Sequence, residues 1–121
     1  MARMFDSTVL DALRSAMEIG IYASGPKDRS VTIWVVVVDS VVFVRSYRGT
    51  NGQWYAAART TGRATLVVGA QQIPVSTEPV TDAETVEAVS QAFLGKYATS
   101  AYVRAMVAPE ALVTTLRLDP A

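Results

Sequence analysis

Two runs of β-prone residues, separated by only two positions, constrain the fold of this chain more than any other feature. The first covers Thr32 to Val38 and the second Val41 to Tyr47, and both are dense in Val, Ile, Phe, Tyr, Trp and Thr. Such residues favour a pleated, half-buried surface. Because only Asp39 and Ser40 lie between the runs, the sequence predicts an antiparallel hairpin with a two-residue turn.

This turn determines which residues face each other across the predicted hairpin. It places Trp34 opposite Arg45 and Thr32 opposite Tyr47, with all four side chains on one face. Trp34 and Arg45 are then positioned for a cation–π pair. Ser46 falls on the opposite face. The polar and aromatic end of the hairpin therefore suits a flat or anionic ligand.

Near the turn, the predicted hairpin is apolar on both faces, over Val35 to Val38 and Val41 to Val44. An antiparallel sheet normally shows polar residues on one face. The interior of a barrel can cover one of these faces, and the other needs a helix or a second subunit. We expect a homodimer, because an exposed valine surface of this size favours association.

A glycine-containing loop follows the second run and leads into an alanine-rich helix. The loop begins at Arg48-Gly49 and ends at Gly52, and the helix follows from about Trp54. Free backbone N–H groups and the positive end of the dipole make a helix N-terminus a natural anion site. Arg45 and Arg48 lie close by in the sequence. The alternative is a solvated loop with two surface arginines.

The composition narrows the possible chemistry further. With 121 residues, half of them hydrophobic, we expect a single domain over 1–121. Balanced charges, 11 basic and 11 acidic, argue against a nucleic-acid surface, and the apolar runs are too short to span a membrane. We therefore expect a cytoplasmic protein. The chain has no Cys and no His, which excludes thiol nucleophiles, Ser-His-Asp catalysis and the usual zinc sites.

The remaining chain alternates predicted helices with predicted strands. A helix begins at Asp6 or Ser7 and runs to about Met17, and a second hairpin turns at Gly69-Ala70, with Pro74 indicating an edge strand or a bulge. Other predicted elements are a strand at 19–23 broken by a glycine, a turn at 24–29, a capping-box helix from 81 to about 97, a short helix at 101–107, a turn at 108–110 and a closing strand at 113–119. About six strands with short connections predict an α+β fold, mainly β: a six-stranded antiparallel barrel with peripheral helices.

Several short motifs in fixed order resemble the flavin-binding split-barrel (pyridoxamine phosphate oxidase-like) superfamily, and within it a small bacterial family of unknown function. The motifs are Thr32-Ile33-Trp34, Arg45-Ser46-x-Arg48-Gly49, Gln53-Trp54-Tyr55, Met106 to Ala111 and Thr115 to Leu118. The resemblance covers most of the chain from Ile19 onward. It implies a dimer that holds FMN, or in one branch deazaflavin, at the subunit interface.

The resemblance also implies roles for individual residues, although it assigns no catalytic residue and no metal. The implied cofactor-binding residues are Thr32 and Trp34 along the flavin ring, Arg45, Ser46 and Arg48 near ribityl and phosphate oxygens, and Gly49, Gln53 and Trp54 completing the pocket. Tyr47 and Tyr55 are candidates for a substrate pocket. The chain departs from many flavin oxidases of this fold because its loop at 50–53 contains no lysine.

Three functions are compatible with these features. The first is an oxidoreductase in which FMN or deazaflavin supplies the reactivity toward a small organic molecule. The second is a cofactor-free isomerase or cyclase that uses the same pocket through proximity and polar contacts. The third is a non-catalytic ligand-binding module.

Overall fold

The computed structural model describes residues 4–23 and 30–121, so the turn predicted at 24–29 lies outside the described residues. The five helices of this part are α1 (Ser7–Ser15), α2 (Gln53–Thr61), α3 (Ala83–Lys96), α4 (Val103–Met106) and α5 (Pro109–Leu112), and a 3₁₀ turn covers Gly49–Asn51. The strands are β1 (Ile19–Tyr22), β2 (Val31–Ile33), β3 (Val36–Val38), β4 (Val41–Val44), β5 (Arg63–Val68), β6 (Gln71–Pro79) and β7 (Leu116–Pro120). The described residues thus contain seven strands where the sequence predicted six.

The strand order shows how the sheet closes. The seven strands form one antiparallel sheet in the order β2-β1-β5-β6-β7-β4-β3. The two edge strands, β2 and β3, are consecutive in the chain and are joined by only Trp34 and Val35. The edges must therefore lie close together, and the sheet curls into a barrel that is split at these two residues. This is the predicted mainly antiparallel α+β split barrel.

The predicted hairpin forms at its turn but not along its full length. Asp39 and Ser40 both have positive φ, 51° and 64°, as a type I′ turn requires, and the predicted register near the turn is confirmed. The pairing of Thr32 with Tyr47, however, is wrong. Thr32 pairs instead with Gly20 of β1, because the chain leaves one edge of the sheet at Val35 to join the other.

Two apolar clusters stabilise the barrel. One fills its interior and includes Val35, Val42, Leu66 and Leu118. The other lies between the outer face of β3 and β4 and the helices α3 and α4, and its buried members are Val36, Phe43, Val89, Phe93, Tyr97, Val103 and Met106. A helix of the same chain therefore covers the second face of the hairpin. The argument for a dimer from two apolar faces consequently does not hold.

Pro74 lies on an interior strand, so the prediction of an edge strand or bulge is wrong. Strand β6 pairs with β5 and with β7, and Pro74 lies opposite Thr65 without a break in register. Its carbonyl accepts a hydrogen bond from the N–H of Ala121 on the β7 side. The missing N–H of proline points to that same side, beyond the last β7 pair at Pro120. Proline is tolerated there because it lies where the β6–β7 ladder ends.

Smaller differences concern the ends of elements. Helix α1 ends at Ser15, and Met17, predicted to belong to its apolar stripe, is half exposed. Asp82, and not Thr81, caps α3 by accepting from the N–H of Thr85. The turn predicted at 108–110 instead begins α5 with Pro109 in its first turn. Strand β1 continues through its glycine.

No helix among residues 4–23 and 30–121 is long and apolar enough to cross a membrane.

Candidate functional site

A cavity of about 690 Å³ opens beside the split of the barrel. It brings together eight of the ten predicted site residues: Thr32, Trp34, Arg45, Ser46, Tyr47, Arg48, Gln53 and Trp54. The other two lie outside its lining. Gly49 is buried against the backbone of Glu110, and Tyr55 is buried on α2. Six further residues line the cavity: Val31, Ile33, Asn51, Gly52, Tyr102 and Met106.

Arg45 forms one wall of the cavity and is almost fully buried, at 1% exposure. Its Nε donates to Thr115 Oγ1 (2.8 Å), and its terminal nitrogens donate to Ser90 Oγ and to the carbonyls of Met106 and Val86 (2.9 Å each). Burial lowers the pKa of Arg45 to about 10, opposed by the charge of Glu87. The guanidinium therefore remains protonated at neutral pH, and it binds α3, α4 and the start of β7 together.

The predicted cation–π pair between Trp34 and Arg45 is not the one that forms. Arg45 lies over Phe93, 5.5 Å from the ring centroid. Trp34 stacks instead on Tyr97, with centroids 3.9 Å apart and planes within 2°. The pairing changes because β4 ends at Val44, so Arg45 turns toward α3.

Ser46 has the one buried side-chain polar atom of the described residues that lacks a hydrogen-bond partner. Its N–H donates to Thr114 Oγ1 at 2.9 Å, but its Oγ has no acceptor or donor within reach. The expectation that Ser46 lies on the face opposite the cavity is wrong, because the strand alternation stops at Val44. A buried unpaired hydroxyl costs about 1–3 kcal/mol. Such a group beside a cavity is a candidate ligand contact.

Gly52 packs closely against this hydroxyl. A Cβ at position 52 would lie 2.5 Å from Ser46 Oγ, closer than two such atoms can approach. The backbone of Gly52 is extended, with φ −66° and ψ 130°, so glycine is needed here for space and not for an unusual φ.

The N-terminus of α2 adds unpaired donors to the same place. Its N-cap is Gly52, which has no side chain to accept from the first N–H groups, and the first turn contains no acidic residue. Arg48 is exposed next to it. The positive end of the α2 dipole, the free N–H groups of its first turn and the guanidinium of Arg48 together favour the binding of an anion.

Aromatic and aliphatic side chains form the mouth of the cavity. Tyr47 and Tyr102 are 56% and 63% exposed and pack edge to face, with centroids 6.1 Å apart. Val31 is also largely exposed. None of the described residues that line the cavity is acidic, and their only charges are Arg45 and Arg48. The cavity therefore suits a planar ligand with a neutral or anionic tail.

Two of the six lining residues that sequence reasoning missed come from a distant part of the chain. Tyr102 and Met106 belong to the segment around α4, more than 40 positions beyond the hairpin, and nothing in their local sequence indicates a site. Gly52 and Asn51 carried a signal, since they belong to the loop that leads into α2.

The strand order, the split and this cavity define the class of protein: a split barrel like that of the pyridoxamine phosphate oxidase-like proteins. Residues 9–118 match the family described as "Uncharacterized protein conserved in bacteria (DUF2255)". The chain therefore belongs to that bacterial family. Among curated proteins, none matches the sequence.

Solved structures support the same fold. A conserved hypothetical protein from Mycobacterium tuberculosis is 14% identical, with a TM-score of 0.67 over 99% of this chain and 81% of its own. A candidate pyridoxamine 5′-phosphate oxidase from Listeria innocua is 7% identical, with a TM-score of 0.61 over 94% and 90%. A FAD-binding protein from Mesorhizobium loti is 14% identical, with a TM-score of 0.54 over 98% and 90%. At these identities the similarity establishes the fold alone.

Proposed function

We propose that this protein binds a flavin-type cofactor, FMN or deazaflavin, and acts as a cytoplasmic oxidoreductase on a small organic molecule. The observation that carries the proposal is the unpartnered Ser46 hydroxyl, against which Gly52 packs at the uncapped N-terminus of α2. Two of the similar structures are named for FAD binding or pyridoxamine phosphate oxidation. That likeness of fold supports the choice of ligand class.

The residues present fit an FMN-like ligand at both of its ends. A phosphate would accept from Ser46 Oγ, from the first N–H groups of α2 and from Arg48. The ring system would lie against Trp34, near the tyrosines at the mouth. A cavity of about 690 Å³ is within the usual range for such ligands, roughly 300–1,000 Å³. Arg45 would contribute positive potential and shape, because its hydrogen bonds go to protein groups.

When bound, the cofactor would supply the redox chemistry, since the chain has neither His nor Cys. The protein itself would bind and orient the ring and exclude water from one side of it. Among the described lining residues, Tyr47 and Tyr102 are exposed and carry phenolic hydroxyl groups. They are the candidates to contact the substrate.

The direct test is titration of the purified protein with FMN and with deazaflavin, followed by absorbance and flavin fluorescence. We expect saturable binding that weakens with salt, because part of the affinity comes from charge. Arg48→Met should weaken FMN binding about 10-fold or more, the value of one charge-assisted contact. Arg63→Met, which removes an exposed arginine outside the cavity, is the matched control and should leave affinity unchanged. Absence of saturable binding of either cofactor would overturn the proposal.

We also propose that the protein is a homodimer with the cavity at the subunit interface, as the split-barrel resemblance implies. The exposed Val31, Tyr47 and Tyr102 at the mouth support this, because a second subunit would cover them. Light scattering on the purified protein should give a mass of twice 13.0 kDa. A monomer at all concentrations would contradict the dimer.

The cofactor-free alternative draws on the same tyrosine pair. A substrate held between Tyr47 and Tyr102 could be oriented by stacking and by two hydroxyl groups, without a general base. Small-molecule binding at the mouth by a protein that binds neither cofactor would favour this function.

A further inference from the structure

The split in the barrel leaves two residues of the chain outside the sheet. Trp34 and Val35 join the edge strands β2 and β3 and belong to no strand pair. A buried backbone group must nevertheless find a hydrogen-bond partner, and Val35 is fully buried. Its partners determine how firmly the split, and Trp34 with it, is held.

Those partners are two consecutive side chains at the end of α3. The hydroxyl of Tyr97 accepts from the N–H of Val35 at 3.2 Å and lies 2.8 Å from the carbonyl of Met17, to which it donates. The ammonium of Lys96 donates to the carbonyls of Val35 (2.8 Å) and Leu13 (3.0 Å). Both backbone groups of Val35 are thus satisfied from α3, and the same two side chains reach the α1 region.

The ring of Tyr97 supports the indole of Trp34 directly. The two rings are parallel within 2° with centroids 3.9 Å apart. Tyr97 is 2% exposed and is itself backed by Phe93, 6.0 Å away, while Lys96 lies 5.4 Å from its centroid. One face of Trp34 is therefore covered by an immobile partner, and the remainder of the indole is available to line the cavity.

We propose that Tyr97, together with Lys96, positions Trp34 as a fixed flat wall and thereby makes the cavity selective for ligands with a planar ring. Neither residue lines the cavity, so each acts through Trp34. The selectivity rests on the proposed binding of a flavin-type ring, whereas the fixing of Trp34 is independent of it. Because Tyr97 already holds one face of Trp34, the indole loses little conformational freedom when a ligand ring stacks on its cavity side.

The test uses Trp54→Phe as the background, because the chain has two tryptophans and this change makes Trp34 the sole reporter. Tyr97→Leu removes the stacking and the hydrogen bonds, and Tyr97→Phe removes the hydrogen bonds alone. Phe43→Leu is the control, since Phe43 is a buried aromatic of the same cluster that stacks on neither Tyr97 nor Trp34. Without ligand, we measure acrylamide quenching of Trp34 and its near-ultraviolet circular dichroism.

In the unliganded protein, Tyr97→Leu should make Trp34 at least about twice as quenchable and abolish its near-ultraviolet signal, since a stacked partner is lost. Tyr97→Phe should fall between this variant and the parent. Phe43→Leu should leave both signals near the parent. If Trp34 is equally accessible in the parent and in Tyr97→Leu, the positioning role is wrong, whether or not any flavin binds.

In titrations, Tyr97→Leu should weaken the binding of FMN, and of lumiflavin, a flavin ring without phosphate, by about 3- to 10-fold. The inhibition constant of inorganic phosphate should change less than about 2-fold, because phosphate would not touch Trp34. An equal loss in Phe43→Leu, or an equal loss for phosphate, would show a general loss of stability and overturn the selectivity. If the parent binds no flavin, the proposed function and the selectivity both fail, and the quenching result alone decides the positioning of Trp34.

Discussion

Arg45 and Ser46 are neighbours in the sequence, yet the polar groups around them are satisfied in opposite ways. Arg45 donates four hydrogen bonds to α3, α4 and the segment before β7. Ser46 Oγ has no partner among the described residues, and the α2 terminus beside it has no side-chain cap. The two residues are equally buried, so burial alone does not tell a structural group from a binding group.

The difference teaches that the hydrogen bonding of a buried polar group is a better guide to its function here than its burial. A buried charge with all these partners in place stabilises one arrangement of the elements around it, and removing it leaves those partners unpaired. A buried hydroxyl without a partner contributes nothing to the folded state that an alanine would not. The Ser46 hydroxyl is therefore the candidate for a ligand contact, whereas Arg45 is the structural group.

The largest effect should follow from breaking the Arg45 network. We expect Arg45→Leu to lower the free energy of unfolding by about 3–5 kcal/mol, because it leaves two buried hydroxyls and two carbonyls without their donor. Arg45→Lys should recover only part of this loss, since an ammonium cannot reproduce the planar fork. Chemical denaturation followed by circular dichroism measures both variants.

The control for this prediction is Arg48→Met, which should change stability by no more than about 0.5 kcal/mol, as expected for an exposed side chain. If Arg45 and Arg48 variants were equally stable, Arg45 would not be structural. The prediction that Arg45 contacts the cofactor directly would then be favoured.

Much of the fold could be predicted because it depends on local sequence. A two-residue spacer set the register at the tip of the first hairpin, and Gly69-Ala70 did the same for the second. Asp6 and the apolar spacing indicated α1, which begins where predicted. Each of these features is determined by interactions within a few residues.

The errors arose where distant segments decide. The break at Trp34 and Val35 exists because β1 pairs with β2, which the alternating pattern of a single run cannot reveal. The role of Arg45 depends on partners 41 to 70 positions away. The order of the motifs predicted most of the cavity residues, but it could not distinguish the structural role of Arg45 from the candidate binding role of Ser46.

A medium effect should follow from filling the space beside Ser46. Gly52→Ala places a methyl group 2.5 Å from Ser46 Oγ, and such overpacking costs about 1–3 kcal/mol. It should also abolish FMN binding or weaken it by at least about 10-fold, because the methyl group displaces Ser46 or Gly52, and both line the cavity at the proposed phosphate site. Denaturation and FMN titration give the two values separately.

The double variant Gly52→Ala with Ser46→Ala sharpens the comparison. Removing the hydroxyl should restore the stability lost in Gly52→Ala, whereas FMN binding should stay weak. Ser46→Ala alone should be at least as stable as the parent, because its Oγ makes no hydrogen bond. A clear loss of stability in Ser46→Ala would contradict the inference that this hydroxyl is unpaired.

The smallest effect concerns Lys96, a partly buried cation that can be compared with Arg45. Burial lowers the pKa of Lys96 from 10.5 to about 8, so above pH 8 the unfolded chain binds more protons at this residue than the folded chain does. The free energy of unfolding should therefore rise as the pH increases from about 8 toward 10.5, and it should be flat below that window. Burial also raises the pKa of Tyr97 above 10.0, which acts in the opposite direction only at higher pH.

Denaturation between about pH 7.5 and 9.5 isolates the contribution of the lysine. Lys96→Met should lose this rise, whereas Arg45, whose pKa is about 10, should contribute little in the same interval. If the free energy of unfolding still rises with pH in Lys96→Met, the rise belongs to another group. Lys96 would then be an ordinary solvated cation, which its hydrogen bonds to two carbonyls argue against.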